Sequence, residues 1–161
     1  MPDMLVKLYD LPPLDPFIEK QHSLGITIRR AIAPEKHLIT QWVGEEFSAY
    51  WVSETEAAFG NNPPTCFVAE HERDVIGFSV VNATMKGFFG PTGVREIARG
   101  KGTGAALLVI ALYAMKWDGY GYAIIGGAGP VDFYTKLVGA TVIPDSHPGI
   151  YKGMLKKPAQ Q

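Results

Sequence analysis

The spacing of apolar side chains predicts both strands and helices in the first half of the chain. Apolar and polar residues alternate at 26–31, which predicts a half-buried strand. At 38–47 the apolar residues recur at helical spacing behind a proline, so a helix should face the core there. Residues 53–56 are expected to begin a second helix, and the run Gly-Asn-Asn-Pro-Pro at 60–64 interrupts regular structure.

The middle of the chain has the pattern of a sheet. Residues 65–70 and 75–84 are predicted to be antiparallel strands around a tight turn. A third strand at 86–94 has glycine and proline in its interior, which is typical of a bulge or of splayed pairing. Such pairing leaves backbone N–H groups free for a ligand that runs along this strand.

The last third of the chain begins with a long apolar run, 105–117. This run is apolar on nearly all sides, which predicts a helix covered on more than one face. Residues 122–125 are predicted to be a buried strand, and 131–137 a short helix that a glycine ends. Two further strands, at 140–143 and 150–155, are expected to form a closing pair.

The first 25 residues have the weakest pattern. Residues 4–9 are a candidate short strand, whereas the proline-rich stretch 11–16 opposes regular structure. We therefore expect residues 1–25 to be an N-terminal extension packed on the edge of the sheet, with a dimer-forming arm or a substrate lid as alternatives. A single domain would follow at 26–157, and a polar tail at 158–161.

Composition narrows the function classes. The 161 residues suit one domain with its own core, and a net charge of −1 gives no sign of nucleic-acid binding. The only cysteine, Cys66, excludes an internal disulfide and is expected to be a buried structural thiol. No leader sequence is evident, and the apolar run at 105–115 is too short for a membrane span. We predict a soluble cytoplasmic protein without a membrane partner, as a monomer or homodimer.

The glycine-rich stretch Arg99-Gly-Lys-Gly-Thr-Gly104 is the strongest functional feature. It lies between a predicted strand and the long apolar helix. Glycine lets a ligand approach the backbone, and a helix start presents unpaired N–H groups and positive dipole character. Together these predict an anion site, most naturally for a phosphate or pyrophosphate, with Arg99 and Lys101 adding charge at its rim.

The glycine spacing excludes two common phosphate loops. The dinucleotide fingerprint requires G-x-G-x-x-G, whereas the glycines here are evenly spaced, and Walker A requires Ser or Thr directly after the lysine. The pattern that does match is R-x-x-G-x-G, from Arg99 to Gly104, five residues after Val94. This loop resembles the acyl-CoA pyrophosphate loop of the GNAT (Gcn5-related) N-acetyltransferases.

A second motif extends the resemblance. In GNAT proteins the short helix after the buried strand ends in a phrase like F-Y-x-K-x-G-F, and here the phrase is Phe133-Tyr-Thr-Lys-Leu-Val-Gly-Ala140. The order of elements from residue 26 onward also fits. The chain departs from the family at Ala140, which replaces an aromatic residue, at Gly127, where many members have asparagine, and at 95–98, which lack the common proline.

The resemblance implies an α+β fold with a mixed, mostly antiparallel sheet that is splayed at the cofactor site and flanked by helices. It implies acetyl-CoA as cosubstrate and direct transfer of its acetyl group, in a ternary complex, to a primary amine of a small molecule or peptide. No metal is implied. The backbone N–H groups expected to hold the pyrophosphate are those of Arg99, Gly100, Lys101, Gly102, Thr103 and Gly104.

The resemblance also implies roles nearer the thioester. The backbone around Gly93, Val94 and Glu96 is expected to pair with the pantetheine arm, and an N–H near Val94 to polarise the thioester carbonyl. Tyr134 contacts the cofactor as the candidate general acid for the departing sulfur; its alternative role is a core tyrosine beside Phe133.

The general base and the acceptor stay open at this stage. Glu96, acting through water, is one candidate base. The other candidates are Glu45, Glu46, His22 and His147. The group Tyr50, Trp51, Glu54 and Glu56 suggests either a cationic amine acceptor or ordinary packing with a solvated helix face.

Two rival functions are compatible with the same loop. One is a non-catalytic acyl-CoA-binding sensor or interaction domain on the same fold. The other is a nucleotide-binding domain that uses the loop for ATP, which the glycine spacing opposes.

Overall fold

The computed structural model describes residues 1–159, so the last two residues of the expected polar tail lie outside the described residues. Seven strands form one sheet in the order β2-β3-β4-β5-β6-β1-β7. The strands are Met4–Lys7 (β1), Ile26–Arg30 (β2), Cys66–His71 (β3), Asp74–Val81 (β4), Phe88–Val94 (β5), Tyr122–Ile125 (β6) and Thr141–Val142 (β7). The helices are Asp15–Ser23 (α1), Lys36–Glu46 (α2), Ala49–Phe59 (α3), Thr103–Trp117 (α4) and Val131–Val138 (α5).

The expected fold class is confirmed. All neighbouring strands pair antiparallel except β5 and β6, which are parallel. Helix α4 lies directly on one face, where the Ser79 hydroxyl donates to the Leu107 carbonyl at 2.9 Å. On the other face, Phe78 packs against Trp42 of α2 and Trp51 of α3. Helix α4 is apolar on nearly all sides because it is covered both by the sheet and by α1.

Helix α3 begins earlier than the sequence pattern indicated. It starts at Ala49 and not at 53, because the Ser48 side chain accepts a hydrogen bond from the Trp51 amide at 3.3 Å and caps the first turn. This earlier start places Trp51 within the helix, on the side where it contacts Phe47 and Phe78.

The N-terminal segment differs from the expected peripheral extension. Strand β1 lies inside the sheet between β6 and β7, and Met4, Val6 and Leu8 are completely buried. Helix α1 was not predicted; it accommodates Pro16 in its first turn, where the missing N–H costs nothing. Placement of β1 at the edge is therefore wrong, whereas the division of the chain at residue 25 stays a prediction.

Of the two predicted closing strands, the one at 140–143 is present as β7, whereas the strand at 150–155 and the pairing between them are wrong. Strand β7 has two residues and pairs with β1, with Leu5 opposite Thr141. Residues 149–151 form a single 3-10 turn, and the glycines at 149 and 153 have φ of +58° and +76°. Backbone of this kind cannot continue an extended strand, so the segment crosses the end of the sheet as a loop.

The predicted splay and bulge are both present in β5. Parallel pairing with β6 is limited to Phe88–Ile124 and Phe89–Ile125, so the rest of β5 has no neighbour on that side. On the other side the pairing with β4 has one extra residue between Phe89 and Thr92, which is a β-bulge at Gly90–Pro91. A gap therefore opens between β5 and β6 and widens toward the end of β5.

No helix within residues 1–159 is long and apolar enough to cross a membrane.

Candidate functional site

The glycine-rich loop connects the end of β5 to α4 and presents unpaired amides. Gly100 and Gly102 have φ of +84° and +80°, a conformation that glycine adopts without a Cβ clash. The first helical hydrogen bond of α4 runs from the Ala106 amide to the Gly102 carbonyl, and no side chain of the described residues caps the helix. Among residues 1–159, the amides from Gly100 to Ala105 have no acceptor. These six N–H groups are available to an anion.

Arg99 behaves differently from the rest of the loop. Its amide donates to the Glu96 carbonyl at 3.2 Å, so this N–H is engaged within the protein and not free as expected. Its Nε donates to the Val94 carbonyl at 3.0 Å. That bond ties the guanidinium to the end of β5, and the side chain remains exposed beside the loop.

Helix α1 supplies two residues to the loop that no sequence motif had indicated. Gln21 is completely buried; its Nε2 donates to the Lys101 carbonyl at 2.9 Å, and its Oε1 accepts from the Thr103 hydroxyl at 2.7 Å. The Lys20 Nζ lies 3.0 Å from the position that a β-carbon on Gly102 would occupy. Gln21 therefore fixes the loop, and Lys20 adds a third positive charge to those of Arg99 and Lys101.

Along β5, the register decides which amides face the gap. The Arg95 amide donates to the Ile76 carbonyl of β4 at 2.8 Å, and Gly93 lies opposite Phe78. Because N–H direction alternates along a strand, the amides of Gly93 and Arg95 face β4, whereas those of Thr92 and Val94 face the gap. Val94 thus has the orientation that the oxyanion role requires, and the Gly93 amide does not.

Gly93 is required for another reason. A β-carbon at this position would collide with the ring of Phe47, which covers β5 at the junction between α2 and α3. Glycine here lets the aromatic cluster approach the strand that borders the gap.

An apolar cavity of about 740 Å³ opens beside the bulge. Its walls come from α3, from Gly90–Pro91, from Gly126–Gly127 after β6, and from residues 147–154. Large apolar side chains dominate the lining, among them Trp51, Met85, Phe89, Ile150 and Met154. Because the cavity and the gap share the Gly90–Pro91 bulge, a molecule in the gap and a second molecule in the cavity would meet there.

Few titratable groups face this cavity. Within the described residues, Glu54 is the one carboxylate that lines it, and no lysine, arginine or aspartate does. The Thr84 hydroxyl donates to Glu54 Oε1. Burial, followed by the charges of Glu54 and Asp3, raises the pKa of the Tyr151 phenol, which lies over Gly126. His147 lies at the exposed rim.

The fold places one of the candidate general bases at the cavity and others elsewhere. His147 is the one member of the original set that lines the cavity. Glu96 is exposed in the 3-10 turn before the loop, Glu45 bonds Gln41 at 2.9 Å, and Glu46 lies 3.4 Å from Arg95 Nε. Glu54 was missed as a base because its position opposite the bulge depends on the packing of α3, which residue spacing alone does not give.

Tyr134 is on α5 and is 6% exposed. Burial raises the pKa of its phenol above the ordinary value, and its ring contacts Phe133 with centroids 5.1 Å apart. Its proton is thus retained at neutral pH. Tyr134 does not line the apolar cavity beside the Gly90–Pro91 bulge.

At Gly127, where many family members have asparagine, the backbone amide is already hydrogen-bonded within the protein. The Gly127 amide donates to Asp3 Oδ1 at 2.8 Å, and the Ala128 amide donates to the Pro2 carbonyl at 2.7 Å. These backbone groups are held by the N-terminal residues, so the Gly127 N–H is not free to replace the missing side-chain contact.

No protein-family model and no curated protein sequence matches the chain. Solved structures do resemble it. A GCN5-related glucosamine N-acetyltransferase region of a fungal multi-domain β-N-acetylglucosaminidase superposes with a TM-score of 0.73 at 16% identity. A GCN5-related N-acetyltransferase from Sphaerobacter thermophilus gives 0.69 at 22% identity, and each match covers 88% of this chain.

The matched region is a limited part of those proteins. It corresponds to 19% of the fungal protein and 48% of the Sphaerobacter protein, so the chain spans about half of their length or less. A GNAT family acetyltransferase from Brucella melitensis, in complex with acetyl-CoA, gives a TM-score of 0.54 at 21% identity over 69% of this chain and 80% of that one. The chain has the fold of the GCN5-related N-acetyltransferases, and the sequence resemblance is confirmed at the level of the fold.

Proposed function

We propose that the protein is an acetyl-CoA-dependent N-acetyltransferase that transfers the acetyl group directly to a primary amine. The observation that carries this proposal is the series of unpaired amides from Gly100 to Ala105, which lies next to the gap between β5 and β6. The fold supports it, because structural neighbours are N-acetyltransferases and one of them is in complex with acetyl-CoA.

The pyrophosphate of acetyl-CoA would bind at the loop. The amides of Gly100, Lys101, Gly102, Thr103 and Gly104 would donate to its oxygens, and a β-carbon at Gly100 would meet no atom within 4 Å, so the approach is open. The cationic side chains of Lys20, Arg99 and Lys101 would balance its negative charge.

The pantetheine arm would run along the unpaired edge of β5. Here the Val94 amide would donate to the thioester carbonyl and stabilise the oxyanion that forms when the amine attacks. A donor in this role contributes on the order of 3 kcal/mol to transition-state stabilisation. The C–S bond then breaks, the acetyl group stays on nitrogen, and the thiolate of CoA takes up a proton.

Tyr134 remains the proposed source of that proton. Burial raises the pKa of its phenol, so the phenol keeps its proton at neutral pH and would transfer it to the CoA sulfur only as the C–S bond breaks. Glu96 remains a proposed base through water, but Glu54 is better placed, since it faces the cavity where the amine would enter. Cytoplasmic location and a monomeric or homodimeric state stay predictions.

Thiol release from acetyl-CoA in the presence of an amine panel tests the proposal. We expect release that depends on both substrates, and a Tyr134→Phe variant that loses kcat at least tenfold while it binds CoA as the wild type does. Phe133→Tyr, on the neighbouring exposed position, is the matched control. CoA binding without thiol release for any amine would instead support the non-catalytic sensor.

A further inference from the structure

We propose that the apolar cavity beside the Gly90–Pro91 bulge binds a primary amine carried on an uncharged, apolar body, with Glu54 as the counter-ion of the ammonium group. This inference rests on the proposed acetyl transfer, because it names the class of amine that would accept the acetyl group. The binding that it predicts can be measured without turnover.

The charged groups that line the cavity favour an amine as its ligand. Glu54 is the one acidic side chain lining the cavity in the part of the chain that the structure describes. The α-ammonium of Met1 also lines the cavity, but it lies at the rim, 3.3 Å from His147 Nδ1. The ammonium group of a bound amine would therefore pair with Glu54, whereas a diamine would bring a second cation that no other acidic side chain of the described lining meets.

The fixed position of Glu54 is the second argument. The Thr84 hydroxyl donates to Oε1, which restricts the rotamer of the side chain and leaves Oε2 available to a ligand. Glu54 lies three residues after Trp51 on α3, so both side chains point from the same helix face toward the bulge. An ammonium group at Oε2 is thereby held in the cavity that the bulge, and hence the proposed thioester site, borders.

The walls of the cavity determine that the body carrying the amine is apolar. Trp51, Phe89 and Met85 contribute apolar surface, and Ile150 and Met154 do so at the opposite wall. Met85, Ile150 and Met154 are 49%, 41% and 50% exposed, which is surface that an apolar ligand would remove from water. A volume of about 740 Å³ falls in the ordinary range of small-molecule sites. The hydroxyl groups of an amino sugar would lose hydrogen bonds to water wherever they face these apolar walls.

Calorimetric titration of the full chain, with and without saturating CoA, tests the proposal. The probes are 2-phenylethylamine and its neutral counterpart 2-phenylethanol. We expect the amine to bind at least tenfold more tightly than the alcohol. Glu54→Gln keeps the shape of the side chain and removes its charge, so it should abolish the preference and leave alcohol binding within twofold. Glu56→Gln, on an exposed neighbouring position outside the cavity, should change neither.

The outcomes separate this inference from the proposed function. Amine-selective binding without thiol release supports the site and contradicts acetyl transfer. Thiol release with glucosamine or a diamine, together with equal binding of phenylethylamine and phenylethanol, overturns the inference and leaves acetyl transfer standing. If Glu54→Gln does not fold, the wild-type comparison of amine and alcohol still decides, because loss of that preference overturns the site.

Discussion

Gln21 is completely buried, and both ends of its amide group are hydrogen-bonded to the glycine-rich loop. Its two partners, the Lys101 carbonyl and the Thr103 hydroxyl, lie on either side of Gly102. A buried amide that is satisfied in this way fixes its partners firmly, because losing either bond would leave a polar group unpaired. The loop amides are therefore held in position before any ligand binds.

Replacing Gln21 by leucine should loosen the loop. Gln21→Leu leaves the Lys101 carbonyl and the Thr103 hydroxyl without a partner, at a cost of about 1–3 kcal/mol in the free energy of unfolding. CoA affinity should fall as well. The control is Gln41→Leu, because Gln41 is exposed and bonds only Glu45. Denaturant unfolding and CoA titration of both variants check this. Equal behaviour of the two variants would show that Gln21 does not fix the loop.

Lys20 is expected to act through charge alone. Its ammonium lies beside Gly102, so Lys20→Gln should weaken CoA binding severalfold and make that binding less sensitive to salt. Lys36→Gln, at the exposed start of α2, removes the same charge from another helix and serves as the control. CoA titrations at low and high ionic strength make the comparison. If both variants lose the same affinity, net charge and not position is responsible.

At the scale of elements, β5 combines three properties that a cofactor cleft needs. It separates from β6 after Phe89, it has a bulge at Gly90–Pro91, and it is covered at Gly93 by the ring of Phe47. That ring belongs to an aromatic group with Trp42, Trp51 and Phe78, so its position is fixed by α2 and α3. The helices thus hold the strand whose other edge is open.

Gly93→Ala tests this packing. The added methyl group collides with Phe47, and the crowded ring cannot move freely, so we expect a loss of about 1–3 kcal/mol in the free energy of unfolding. Phe47→Leu should relieve the collision. In a double-mutant cycle, the pair should therefore lose less stability than the sum of the single variants. Strict additivity would contradict the proposed contact.

The positions of elements with a strong periodic pattern were predicted correctly, but the elements that pack against them or pair with each other were not. Strand β2 and helix α4 lie where the pattern placed them, because Ile26 of β2 is in the core and α4 is buried on more than one side. Helix α1 was missed, since its residues are mostly polar and follow a proline-rich stretch. The pairing of the closing strands was wrong because β7 pairs with β1, near the opposite end of the chain, and residue spacing does not indicate that pairing.

At the scale of the whole molecule, the site combines segments that are distant in sequence. The loop and the splayed strand were predictable, because a motif and interior Gly and Pro mark them locally. Gln21 reaches the loop across 80 residues, and Thr84 reaches Glu54 across 30. Contacts of this kind depend on how helices pack on the sheet, so no local pattern contains them.

The buried thiol of Cys66 should make the free energy of unfolding depend on pH. Burial raises the pKa of its thiol from 9.0 to about 12, so in the folded protein it stays protonated where the unfolded chain has already ionised. The thiol's contribution is fully present below about pH 9 and is lost progressively up to about pH 12. Unfolding free energy should fall by about 1.4 kcal/mol per pH unit in this range. In Cys66→Ala, the slope of stability against pH should be shallower by that amount; identical slopes would contradict it.

The central claim is that CoA lies across the unpaired amides of the loop and along the open edge of β5. Amide chemical shifts during a CoA titration of the ¹⁵N-labelled protein test it most directly. We predict that the largest shifts occur at Gly100–Ala105, with a further shift at Val94. Unchanged shifts there, with the changes occurring instead at Trp117 and Tyr120, which line a separate cavity near the end of α4, would contradict the account.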